Sequence, residues 1–253
     1  TYTLNQDLNH PRGDKANYVL ALTDQRLGTF NQFDTSSLVT SATRTFNLDR
    51  DPTSVFTSPA LDVSVTGFVV LLADKTLLTS QKYELLFKGA ISNSSFITVG
   101  GFRDQRNFSI NDLKSGFMRG LTFSNSYISD SNVLTELEYE YAKYNAKASY
   151  ETYKSNSYDL NITSGLGSGW GFKASISHVK KSHFSPLPVF GERKEELNSI
   201  NLEFSNSTSD NCLFASYGIS RNNNKSSIDI FSKSNLQVTA DFSYLCLFNQ
   251  ANS

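Results

Sequence analysis

Apolar and polar residues alternate with a period of two along most of this chain, and no long stretch keeps the three-and-four spacing of a helix. Near the C-terminus, Leu236, Val238, Ala240, Phe242, Tyr244, Cys246 and Phe248 fall on one face, and Gln237, Thr239, Asp241 and Ser243 on the other. Ile200, Leu202 and Phe204 oppose Asn201, Glu203 and Ser205, while Tyr158, Leu160 and Ile162 oppose Asp159, Asn161 and Thr163. Phe172, Ala174 and Ile176 oppose Lys173, Ser175 and Ser177. A chain patterned this way folds as β-sheet with two chemically different faces.

Cutting the alternation at its turn signals predicts about fourteen strands, near 16–26, 32–46, 60–73, 81–93, 95–105, 115–128, 132–144, 146–156, 157–168, 169–182, 195–209, 210–224, 225–234 and 235–249. Residues 1–15 read as an N-terminal extension, 16–249 as one barrel domain and 250–253 as a tail. Several turns are short: Asn145-Ala146, Gly167-Ser168-Gly169, Ser209-Asp210-Asn211 and Lys233-Ser234-Asn235. Links this short make consecutive strands antiparallel neighbours. The two long proline-bearing joins, Asn47 to Pro59 and His183 to Lys194, both follow even-numbered strands in this parse. Long joins at one end and tight turns at the other are the asymmetry of an up-and-down outer-membrane barrel.

Strand length points the same way. The segments run to 10–15 residues, where a tilted spanning strand needs roughly 9 to 11 and soluble strands average nearer 5 or 6. The longest wholly apolar run, Phe68 to Ala73, is far short of a spanning helix. The expected fold is therefore all-β: an antiparallel, up-and-down transmembrane β-barrel of about 14 strands in a bacterial outer membrane, with the lipid bilayer as its principal partner. Tyr18, Tyr83, Tyr141, Tyr158, Trp170 and Phe248 lie near strand ends, as interfacial girdles would.

Composition narrows the function. Ser, Asn and Thr make up 80 of 253 residues, giving wet but sparsely charged surfaces. Net charge is −1 with no block of five like charges, so a nucleic-acid partner is not expected. The three histidines, His10, His178 and His183, show no ligand spacing, and no metal or cofactor is expected. Ser177-His178 and Ser182-His183 lack the two-residue spacing that a barrel phospholipase uses, so the chain is read as a non-enzyme with no catalytic residues.

One constellation stands out. Glu136, Glu138 and Glu140 alternate with Leu137, Tyr139 and Tyr141, and beyond a turn at Asn145, Glu151 is expected to join the acidic face. Carboxylates on one face repel unless water or cations screen them. The strip Glu136, Glu138, Glu140 and Glu151 is therefore expected to line a pore.

The loop Pro186-Leu187-Pro188-Val189-Phe190-Gly191-Glu192-Arg193-Lys194-Glu195, followed by Tyr217, Arg221, Asn224, Ser226, Ser227, Ile228, Phe231, Ser232 and the closing strand to Phe248, resembles the C-terminal barrel of the surface lipoprotein assembly modulator (Slam) family and related tetratricopeptide-linked barrels. The resemblance covers about 60 residues. It implies a fourteen-stranded barrel that helps proteins across or onto the outer membrane of a Gram-negative bacterium, with a translocated protein and a periplasmic helical-repeat domain as partners. A passive diffusion porin and a soluble extracellular β-rich binding protein are the alternatives.

Overall fold

The computed structural model describes residues 2–9, 15–25, 35–48, 55–73, 75–188, 190–207 and 213–244. They form a single antiparallel sheet in which every strand pairs with its neighbours in sequence. The strands are β1 (Tyr2–Asn9), β2 (Lys15–Gln25), β3 (Thr35–Asn47), β4 (Ala60–Leu72), β5 (Lys75–Ser92), β6 (Ser95–Phe108), β7 (Gly116–Ile128), β8 (Val133–Ala146), β9 (Tyr153–Gly167), β10 (Trp170–His183), β11 (Lys194–Ser207), β12 (Leu213–Ser226) and β13 (Lys233–Tyr244).

The meander is as expected, but the strand count among the described residues is 13 rather than 14. Residues Tyr2–Asn9, read from sequence as part of an extension, pair with β2 along their length. The segments 146–156 and 225–234 are not separate strands. β8 runs on through Ala146 and β12 through Ser226, and each then turns through a short 3-10 segment, Ser149–Glu151 and Asp229–Phe231. The physical reason is local. The first part of β9 carries Lys154 and Asn156 on one face and Ser155 and Ser157 on the other, so its hydrophobic alternation fades although its ladder does not. The predicted turns at Asn145-Ala146 and Lys233-Ser234-Asn235 accordingly fall inside or at the start of strands. The proposed turn at Ser209-Asp210-Asn211, the cysteines Cys212 and Cys246, and Phe248 lie outside the described residues.

Replacing the two expected strands 146–156 and 157–168 by the single strand β9 has a topological consequence. The Asn47 to Pro59 join follows β3 and the His183 to Lys194 join follows β10, so the two proline-bearing segments emerge at opposite ends of the sheet. The expected segregation of long joins does not hold. What does segregate is the 3-10 turn: among the described residues Asp112–Lys114, Ser149–Glu151 and Asp229–Phe231 all follow even-numbered strands and share one end. The Leu72 to Lys75 link is at that end too, while two-residue hairpins at 93–94 and 168–169 lie at the other. In the latter, Ser168 and Gly169 both have positive φ, 50° and 78°, as the primed turns of tight hairpins require.

The three 3-10 turns repeat one device. The Ser115 hydroxyl accepts the backbone N–H of Phe108 at 2.8 Å, Thr152 accepts that of Ala146 at 3.1 Å, and Ser232 that of Ser226 at 3.0 Å. Each strand-terminal donor is thus satisfied by the hydroxyl that closes its turn. Neighbouring loops are also sewn together: Lys147 N–H donates to the Ser115 carbonyl, Phe184 to Thr152, and Ser227 to Lys194. The ladder therefore extends past the strands into an ordered rim.

Candidate functional site: the polar concave face

Cross-strand register sorts the side chains into two faces. One carries Tyr18, Leu20, Leu38, Val63, Val65, Tyr83, Leu85, Val99, Leu121, Phe123, Leu137, Tyr141, Tyr158, Ile176, Ile200, Leu202, Phe204, Tyr217, Ile219 and Val238, all of them exposed. The other carries Ser, Thr, Asn and the charged ladder, and most of its residues on β3 to β12 are half-buried or buried, with Glu138 and Lys173 among the exposed ones. The burial is inverted relative to a water-soluble fold. Among the described residues 35 large apolar side chains are exposed, six apolar residues are buried, and no large side chain is fully buried.

The polar face is the concave one. The guanidinium of Arg106 on β6 lies 5.9 Å from the ring centre of Tyr144 on β8. It also acts electrostatically on Tyr153 of β9 and Lys181 of β10, which a flat sheet would hold about 14 and 19 Å away. Close packing on this side needs small residues. A Cβ on Gly120 would lie 2.6 Å from the Phe102 ring, so glycine there lets that ring lie against the sheet.

Ion pairs run along the concave face. Lys88 meets Asp62 at 2.5 Å, Lys82 meets Glu84 at 2.9 Å, and Arg106 meets Asp104 at 2.6 Å while Ser80 donates to the same carboxylate. Near the 3-10 end, Arg193 pairs with Glu195 at 2.6 Å and lies 4.1 Å from the Phe231 ring centre. An aromatic row, Tyr144, Tyr153 and His183, has ring centres 5.4 and 5.5 Å apart. His183 Nδ1 donates to the Tyr150 carbonyl at 2.9 Å, and the Tyr144 hydroxyl donates to that of Lys114. These contacts tie the strand ends to the rim.

Three of the four expected strip residues share this face. Glu136, Glu138 and Glu140 stand opposite Asn161, Asp159 and Ser157 of β9 and Ser126, Ser124 and Thr122 of β7. Ser126 donates to Glu136 at 3.5 Å and Thr122 to Glu138 at 3.4 Å. Glu151 does not join them, because it lies in the 3-10 turn rather than in a strand. Its place in the strip belongs to Asp159, directly opposite Glu138, which the sequence reading put on the polar face without connecting it to the glutamates. The missed signal was register: the β8–β9 turn is six residues long, and a two-residue turn was assumed. No cation lies on this face of β7, β8 or β9, so Glu136, Glu138, Glu140 and Asp159 form a local excess of negative charge.

Outside the strands, Lys147 of the β8–β9 turn holds Asp112 of the β6–β7 turn at 2.6 Å. Its ammonium, with a hydrogen bond from Ser115, keeps the Asp112 carboxyl below its ordinary range. Compared with known proteins, the sequence matches no family model and no curated protein.

Proposed function

We propose that this chain is the membrane-spanning barrel of a bacterial outer-membrane passage, its apolar face turned to lipid and its acidic, ion-paired face lining the interior. The observation that carries the reading is the inverted burial: a continuous apolar face left exposed around a polar concave side. Water disfavours that distribution and hydrocarbon favours it. Strands β3 to β13 have 12 to 18 residues, enough to span with tilt. Hydrocarbon also demands that both edges be paired, so β1 and β13 close on one another or on further strand. In an up-and-down sheet of 13 strands they run in the same direction, and direct closure makes a parallel seam.

The passage serves polypeptide, as the likeness of residues 186–248 to assembly-modulator barrels implies, with a periplasmic helical-repeat domain as its accessory. A passive diffusion pore is the second reading, favoured by the ion-paired ladder Asp62–Lys88, Lys82–Glu84 and Asp104–Arg106 on the concave face. Two measurements test these readings. A chain that remains monodisperse without detergent sinks the membrane assignment. In a planar bilayer, a steady open conductance selects the diffusion pore, and a silent barrel that associates with a helical-repeat protein selects the assembly role.

A further inference from the structure

The apolar face carries one row that hydrocarbon cannot explain. Arg103 of β6 stands directly opposite Arg119 of β7, Arg119 opposite Lys143 of β8, and Lys143 opposite Lys154 of β9. Four cations thus lie side by side across four adjacent strands, about 4.8 Å from one strand to the next. Like charges directly opposite one another destabilise a sheet. The outward positions of β6 to β9 hold no carboxylate, and none of the four cations ion-pairs with one among the described residues. Arg103 lies 5.4 Å from the Phe117 ring centre and Lys143 5.0 Å from that of Phe184, contacts that position a cation without neutralising it. On β10 and β11 of the same face, by contrast, Lys180 has Glu196 at 3.7 Å.

The row's place on the sheet points to its counter-ion. Along β8 the outward residues run Leu137, Tyr139, Tyr141, Lys143, and along β7 they run Phe123, Leu121, Arg119. The cations therefore form the edge of the apolar band nearest the 3-10 turns, with Tyr83 in register beside Arg103. In a membrane that edge is the headgroup layer, where phosphate is the available anion. We propose that Arg103, Arg119, Lys143 and Lys154 form a binding site for the phosphates of anionic lipid headgroups, with acyl chains lying against Leu121, Phe123 and Tyr141. The inference rests on the membrane reading above and deepens it.

The test uses the full chain in a non-ionic detergent, titrated with phosphatidylglycerol or phosphatidylcholine, with retained lipid read by native mass spectrometry. Phosphatidylglycerol should be retained about 600-fold more strongly. Each cation lost should weaken retention about fivefold, and R103Q/R119Q/K143Q/K154Q should bring it to the phosphatidylcholine level. The charge-preserving R103K/R119K/K143R/K154R and the outlying K180Q should keep the preference. If the fourfold neutral variant does not fold, R119Q/K154Q, which removes the two cations without a ring contact, should still lower retention about 25-fold. Equal retention of the two lipids by a chain that inserts into bilayers overturns the site and leaves the membrane reading standing. Monodispersity without detergent removes both. Inorganic phosphate that displaces the lipid as well as phosphatidylglycerol does would make this a free-anion site and overturn the lipid assignment.

Discussion

Leu121 and Thr122 are consecutive on β7, and the two-face reading requires opposite results from the same substitution at each. Leu121 is 65% exposed on the apolar face, between Gly101 and Tyr141 in the flanking strands. In lipid, that exposed share of a leucine is worth about 1–2 kcal/mol of transfer free energy. Replacing it by arginine, one outward position inside the headgroup edge marked by Arg119, should cost about 1–2 kcal/mol in total, or roughly one decade in the folding equilibrium. Thr122 points the other way, opposite Glu140, with its hydroxyl donating to Glu138 at 3.4 Å. Arginine there meets the acidic strip and should leave stability within about 0.5 kcal/mol or raise it. The assay is reversible denaturant unfolding of L121R and T122R in lipid vesicles, followed by tryptophan fluorescence. In water, arginine at an exposed leucine would cost at most about 0.5 kcal/mol. A small effect at Leu121, or a larger one at Thr122, would therefore refute the assignment of faces.

Three further outcomes follow from the site and the rim. E136Q/E138Q/E140Q should lower cation selectivity in bilayer recordings, most clearly at low salt, with folding retained; D159N should add to the effect and E151Q should not, and a response to E151Q alone would put the strip in the wrong register. S115A should cost about 1–2 kcal/mol, because Ser115 is 2% exposed and the Phe108 N–H loses its acceptor where water does not reach, whereas S232A at an exposed turn should cost under about 0.5 kcal/mol; equal costs would contradict the burial contrast. Asp112 should titrate lower than an ordinary aspartate by NMR, so that its link to Lys147 holds above that lowered pKa and is lost as the pH falls through it; an ordinary titration would show that the two loops are not held together, and K147Q should raise it towards the ordinary value.

The alternation of Leu137, Tyr139 and Tyr141 with Glu136, Glu138 and Glu140 was enough to place those residues on opposite faces, because side-chain direction in a strand is a local property of the pleat. For the same reason the antiparallel meander and the Gly167-Ser168-Gly169 hairpin were legible from residue order. Which strands were continuous was not. Lys154 to Ser157 carry polar side chains on both faces, and only the ladder to β8 and β10 holds them in strand geometry. β1 was missed for a related reason: Gln6 interrupts its apolar positions Leu4 and Leu8, and pairing with β2 supplies what the pattern lacks. Everything that depends on register across a turn was decided in three dimensions, including the end at which each long join emerges, the replacement of Glu151 by Asp159 in the strip, and the alignment of Arg103, Arg119, Lys143 and Lys154. A periodicity of two is a relation between neighbours along one strand. The alignment of residues from different strands depends on turn length and hydrogen-bond register, and a change of one residue in a turn transfers a whole strand's side chains to the other face.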